Sequence, residues 1–165
     1  MSSLIQALNL KHSRDTFIAA TIASAAAFTC LATNLPPWAM FVGWVVFFTR
    51  PTSISNTLTS SICVTLGILL GVIASVINSV LLPVMGKAAF AATVFIVAFI
   101  VVFLRGKPII GNIAAWFLGL ITFFAAHAET TYIGIASLIA PVLLGISSGH
   151  LCTYTQSLPG KNKAD

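Results

Sequence analysis

Phe41-Val42-Gly43-Trp44-Val45-Val46-Phe47-Phe48 and Phe117-Leu118-Gly119-Leu120-Ile121-Thr122-Phe123-Phe124 read as two versions of one octet. A Gly-xxx-Gly pair follows each, Gly67 with Gly71 and Gly145 with Gly149, and the octet-to-pair spacing differs by two residues between the copies. Upstream, Ala19-Ala20-Thr21-Ile22 is echoed by Ala91-Ala92-Thr93-Val94. A duplication on this scale puts three membrane spans in each half. An odd number per half turns the second half upside down relative to the first, which is a ground plan of channels and secondary transporters. Phenylalanine and glycine are frequent in this chain, so chance similarity is the alternative.

The composition requires a membrane. Of 165 residues, 58% are hydrophobic and 7% charged, where a soluble domain carries about a quarter charged residues. Mean hydropathy is +1.04. The apolar runs are continuous and not alternating, so helices are expected and not a barrel. The fold class expected is an all-α membrane protein of six transmembrane helices, an inverted three-plus-three repeat with a short or broken second span.

The expected spans are read from the breaks between apolar runs. Residues 1–15 form a cytoplasmic N-terminal segment, residues 16–154 the transmembrane domain with halves of about 16–84 and 88–154, and residues 155–165 a cytoplasmic tail. The first span runs from Thr16 to about Thr33; a signal peptide is the alternative reading of this segment. Asn34-Leu35-Pro36-Pro37 breaks and caps. The second run, Pro37 to Phe48, reaches only about 18 Å against a hydrocarbon core of about 30 Å. The hydroxyl-rich stretch Thr49–Ser61 follows, either as an ordinary loop with caps or as irregular backbone lining a polar cavity. Further spans run over Ile62–Val80, Ala88–Leu104, Ile109–Ala126 and Tyr132–Cys152, the last interrupted by Pro141.

Charge tests the six-span count. With the N-terminus inside, the inner segments hold Lys11, Arg14, Arg50, Arg105, Lys107, Lys161 and Lys163, and the outer segments hold Lys87 alone. This is the bias that orients membrane proteins. It also explains the net charge of +5 without nucleic acid as a partner.

The octet, its echo ahead of Ala125-Ala126-His127, and the six-span size resemble the small bacterial inner-membrane family called domain of unknown function 1097. The likeness covers roughly Thr16 to Thr153. It implies a bacterial inner (cytoplasmic) membrane location and carries no catalytic residues with it; the charge bias is what places both termini in the cytoplasm. The plan also looks like that of aquaporin-type and formate-type channels in architecture alone, since no Asn-Pro-Ala box is present.

Candidate residues fall into a few sets. Gly67/Gly71 and Gly145/Gly149 allow close helix approach and are expected to bring the third and sixth spans together. Phe47, Phe48, Phe123 and Phe124 are either packing aromatics or hydrophobic constrictions that exclude hydrated ions by dewetting. Asn78 and Asn112, with Asn56 in the hydroxyl-rich stretch, are interhelical bonds or pore-lining groups. Arg50 is an orientation charge or a cation-repelling mouth. His127 and Glu129 are exposed loop residues or an external pH gate. His150 is an interfacial residue or a proton relay. Cys30, Cys63 and Cys152 lie in or beside apolar runs with no metal-ligand spacing and read as buried small hydrophobes.

Asp15, Glu129 and Asp165 are the only carboxylates, and no catalytic constellation or phosphate loop is present. The expectation is therefore a non-enzymatic, cofactor-free, metal-free channel or facilitator for a small neutral or weakly charged solute. Its expected partners are the lipid bilayer and further copies of itself. The rival expectations are an accessory or assembly membrane protein, and a proton-coupled small-molecule exporter.

Overall fold

A computed structural model describes residues 2–127 and 130–158. Its elements are α1 (Ser2–Ala32), α2 (Pro37–Phe47), α3 (Ile54–Met85), α4 (Ala88–Phe103), α5 (Ile113–Ala125) and α6 (Tyr132–Ser157). No strand occurs among the described residues. Glu129, Lys161, Lys163 and Asp165 lie outside them.

Local chemistry sets the ends of these helices. α1 stops where Asn34 turns left-handed (φ 55°) and the Leu35 N–H donates back to the Cys30 carbonyl at 2.8 Å, a Schellman-type closure. Pro37 opens α2, where a missing N–H costs nothing. Ser53 and Thr131 cap α3 and α6 by accepting from the N–H of Asn56 and of Gly134, each at 3.1 Å. These two caps stand 78 positions apart, as do Gly67 and Gly145.

Three helical stretches are long and apolar enough to cross a membrane: Leu10–Ala32 of α1, α3 and α6. The other three are short. α2, α4 and α5 have 11, 16 and 13 residues, or about 17, 24 and 20 Å at 1.5 Å per residue.

The short second helix was anticipated, but the short fifth was not. The expected span from Ile109 begins at Ile113, because residues 109–112 fold back as a turn and Asn112 caps the helix after them. A Cβ at Gly111 would collide with the Lys107 carbonyl, so this turn needs glycine. Pro141 interrupts less than expected, since α6 passes it as one helix, and α3 extends beyond the expected Val80 through Pro83 to Met85. Pro141 sits between the buried Leu138 and Val142, whose packing holds the helix together across the missing hydrogen bond.

The exterior is apolar. Phe17, Phe28, Phe95, Phe99 and Phe103 are each more than 60% exposed, an arrangement suited to lipid and not to water. The apolar helices mark a membrane protein.

The core is built from two parallel helix pairs. Gly43 of α2 faces Val142 and Gly145 of α6, and Phe47 lies on Gly149. Gly67 of α3 faces Trp116 and Gly119 of α5, and Phe123 lies on Gly71. Residue numbers rise together along each interface, so α2 runs parallel to α6 and α5 parallel to α3. The glycine pairs on α3 and α6 were expected to meet each other. Their main partners are instead the two short helices, since only the third octet residue of each, Gly43 or Gly119, leaves room for backbone contact.

Trp44 adds a polar tie to the α2–α6 interface. Its indole N–H donates to Ser148 Oγ at 2.6 Å, and that hydroxyl donates to the Gly145 carbonyl at 2.9 Å. Ser148→Ala would leave the indole N–H unpaired. We expect a loss of about 1–2 kcal/mol, read from thermal unfolding in detergent; an unchanged midpoint would show the tie to be inert.

The bundle has a basic end. Arg14 Nη2 donates to the carbonyl oxygens of Gln156 (2.8 Å) and Leu158 (3.2 Å), placing the early part of α1 beside the end of α6. Thr57 Oγ1 and His150 Nδ1, 3.2 Å apart, place the start of α3 there too. Lys11, Arg14, Arg50, Arg105 and Lys107 gather at this end, and Lys87 lies at the opposite one.

Candidate functional site

Most of the sequence-predicted residues are not gathered in one place. Phe47 and Phe123 are buried against Gly149 and Gly71, so their rings fill notches between helices. Phe48 and Phe124 point outward, 57% and 46% exposed, each edge-on to its neighbouring ring at 5.0 and 5.4 Å. Asn56 spends its side-chain N–H on the Pro51 carbonyl at 2.8 Å, tightening the turn before α3. Arg50 is half-buried at the basic end. His127 is exposed with φ 47°, while Glu129, its expected companion, lies outside the described residues.

Asn112 forms a polar knot at the basic end. Its Oδ1 accepts from the Ala115 N–H at 3.3 Å and caps α5. Its Nδ2 donates to Thr49 Oγ1 at 2.8 Å and to Ser60 Oγ at 2.9 Å. One buried amide thus joins the end of α2, the first turns of α3 and the start of α5. Asn112 is 5% exposed and Ser60 1%, so the amide is withdrawn from solvent, while Thr49, half-buried, is the edge of the knot nearest the surface. Two further bonds hold the preceding turn against it: Trp116 Nε1 donates to the Ile110 carbonyl at 2.8 Å, and Cys63 Sγ to the Ile109 carbonyl at 3.8 Å.

The corresponding place at the opposite end is open. The octets are offset by 76 positions and the glycine pairs by 78. In that register Thr49 corresponds to Ala125, Ser60 to Leu138 and Asn112 to Pro36. Pro36, Ala125 and Leu138 all line one cavity of about 640 Å³. Thr131, Gly134 and Ser137 complete its polar side, and Trp38 forms part of its wall. Positions matched by the sequence offsets are therefore a hydrogen-bonded contact at one end and an open cavity at the other.

A second cavity of about 650 Å³ lies among α3, α4 and α5, with mostly apolar walls. Asn78 and Thr93 are on its lining. Thr93 donates to the Ala89 carbonyl at 2.9 Å. Asn78 Oδ1 is buried and has no hydrogen-bond partner among the described residues, so it does not accept the interhelical bond considered for it.

The three cysteines are buried and unpaired with one another. Among the described residues no group of three or more His, Cys, Asp or Glu side chains converges as a metal site would require.

Sequence reasoning singled out Asn112 but missed its partners as individuals. Thr49 and Ser60 are two hydroxyls among many in Thr49–Ser61, and nothing in the spacing distinguishes them. Gly43 and Gly119 were also passed over, although a signal was present: both occupy the third position of the repeated octet.

No curated protein and no solved structure matches the chain at a significant level. One family model does, described as a protein of unknown function (DUF1097), over residues 17–156. The chain belongs to that family.

Proposed function

We propose that this member of the DUF1097 family is a membrane facilitator for a small neutral or weakly charged solute, built from two inverted three-helix halves. The single observation that carries the reading is the inequality of two equivalent places. One end has an open vestibule of about 640 Å³, and the matching position at the other end is closed by the Asn112 knot. A protein that alternates access between two faces has this form when open to one side.

Several features support the inverted halves. The glycine contacts are reciprocal: octet glycine Gly43 meets Gly145, and octet glycine Gly119 meets Gly67. Each short helix therefore packs on the long helix of the other half. The capping residues Ser53 and Thr131 keep the register of the glycine pairs. In this reading α2 and α5 are half-length helices braced within the bundle, where irregular backbone at their ends is tolerated. The gathering of basic residues at one end favours placing that end in the cytoplasm. The vestibule then faces outward.

The walls favour uncharged cargo. The core between the two ends is made of residues such as Val46, Val64, Leu120 and Val142, and an apolar constriction is a barrier to hydrated ions.

Full-length protein in liposomes tests the proposal. Stopped-flow swelling with urea, glycerol or a short-chain acid should proceed faster than in empty liposomes. Ser137→Trp, which fills the vestibule, should slow it without loss of folded protein. Folded, reconstituted protein that gives no flux above empty liposomes for any of the three would refute it.

A further inference from the structure

We infer that the knot of Asn112, Thr49 and Ser60 is both the gate and the solute-selecting station of the passage, and that it selects neutral solutes carrying a hydrogen-bond acceptor beside donors. The inference rests on the facilitator reading above and adds where the barrier lies and what opens it.

Position is the first argument. Three residues at the basic end occupy the place that Pro36, Ala125 and Leu138 leave open at the other. They belong to three separate elements, so parting them moves the turn at residues 109–112 away from the end of α2 and from α3. The seal is formed by side chains; Cys63 Sγ on the Ile109 carbonyl also ties the turn to α3, whereas the Trp116 bond to Ile110 joins the turn to α5 and moves with it.

Chemistry is the second argument. Breaking the knot leaves the Asn112 Nδ2 donor and the buried Ser60 hydroxyl without partners and takes from the half-buried Thr49 Oγ1, which still donates to the Val46 carbonyl at 2.7 Å, the bond it accepts; this is unfavourable unless new partners arrive. An arriving solute must offer an oxygen to Asn112 Nδ2 and an N–H or O–H to Thr49 or Ser60. A urea, a carboxamide or a small polyol does both. A purely apolar solute offers neither. A carboxylate ion such as acetate offers oxygen acceptors but no donor for Thr49 or Ser60, and a cation would be desolvated with no counter-charge, Arg50 beside Thr49 being cationic itself. The Ala115 N–H bond to Asn112 Oδ1 is not among those the opening breaks, so α5 can stay capped while the gate opens.

Cys63 provides a built-in reporter. It lies one helical turn beyond Ser60, fully buried, with Sγ directed to the Ile109 carbonyl. Movement of the turn at residues 109–112 would uncover it.

The test uses the full chain with Cys30→Ala and Cys152→Ala, in liposomes, with two readouts. One is the rate of Cys63 modification by a small water-soluble thiol reagent. The other is swelling with urea, glycerol and acetate. Thr49→Val keeps side-chain volume and leaves the Asn112 cap in place. It should raise the Cys63 rate by roughly tenfold, equivalent to about 1.4 kcal/mol, and it should narrow the preference for urea and glycerol over acetate. Thr49→Ser, which restores the hydroxyl, should behave as the unsubstituted protein. Ser60→Ala should resemble Thr49→Val and guards against a fold defect peculiar to one site. If the unsubstituted protein passes urea but both variants leave Cys63 reactivity and solute preference unchanged, the inference is overturned. If Cys63 responds as expected but no variant passes any solute, the gate stands as a moving element and the facilitator reading falls.

Discussion

Leucine in place of Gly145 is expected to yield no folded protein, and alanine at Gly43, Gly67, Gly119 or Gly145 to lower the unfolding midpoint in detergent markedly. At each position an added Cβ meets backbone of the partner helix: the carbonyls of Val142 and Met40 at the α2–α6 crossing, and those of Trp116 and Val64 at the α3–α5 crossing. Backbone cannot rotate aside as a side chain can, so the two helices must separate along the whole contact. Helix association in lipid depends on this close fit, because burial from water does not drive it. Overpacking of this kind costs about 1–3 kcal/mol for a single methyl group. Gly43 and Gly145 share one contact, so the double alanine variant should lose less than the sum of the singles. Gly86→Ala is the control. No atom lies within 4 Å of the new Cβ, so its loss, about 1–3 kcal/mol from backbone at φ 54° and ψ −134° that glycine alone readily adopts, is strain of the chain and not separation of helices. Alanine at Gly43 with an unchanged midpoint would contradict the backbone contact described for α2 and α6.

Phe47→Ala and Phe123→Ala should each destabilise the fold, and by similar amounts, whereas Phe48→Ala and Phe124→Ala should have little effect. The buried rings sit over Gly149 and Gly71, and removing one empties a notch between two helices. In a water-soluble core such a truncation costs about 3–5 kcal/mol. In lipid the water-transfer part of that cost falls away, leaving lost packing of about 1–3 kcal/mol. The outward rings lose only lipid contact. The similarity expected for Phe47 and Phe123 follows from their matching places in the two octets. A second reading from the same samples separates packing from gating. If these rings were constrictions, alanine would speed swelling with large osmolytes; as packing elements, they change the folded fraction and leave solute preference unaltered. Faster passage of glycerol in a fully folded Phe47→Ala variant would restore the constriction reading.

The membrane character, the helical class and the short second helix were legible because each rests on composition or on a local breaker. Asn34-Leu35-Pro36-Pro37 and the run after Phe48 mark the ends of α2 without tertiary information. The start of α5 was not legible, because Ile109-Ile110 reads as the opening of an apolar run. The tertiary bonds to Ile109 and Ile110 from Cys63 and Trp116 hold those residues as a turn. The glycine pairs were legible as packing devices, but their partners were not. A Gly-xxx-Gly face declares that something approaches closely and says nothing of which helix it is. The vestibule and the knot were hidden for a related reason. Both are contrasts between residues far apart in sequence, and Asn112 against Pro36 becomes a comparison only when the octets are set in register and the cavity is seen beside Pro36.

The parallel pairing of α2 with α6 has a consequence for how the protein is made. Gly43 and the glycine it packs against, Gly145, are 102 positions apart. α2 therefore leaves the ribosome well before its partner exists, and at 11 residues it is too short to settle across the bilayer alone. It must wait, held by α1 on one side and α3 on the other, until the last helix arrives. The same long separation raises contact order, which slows folding, and leaves the α6-facing side of α2 uncovered until that helix is in place. A chain truncated before α6 should consequently be degraded quickly, even though most of its apolar sequence is already in place.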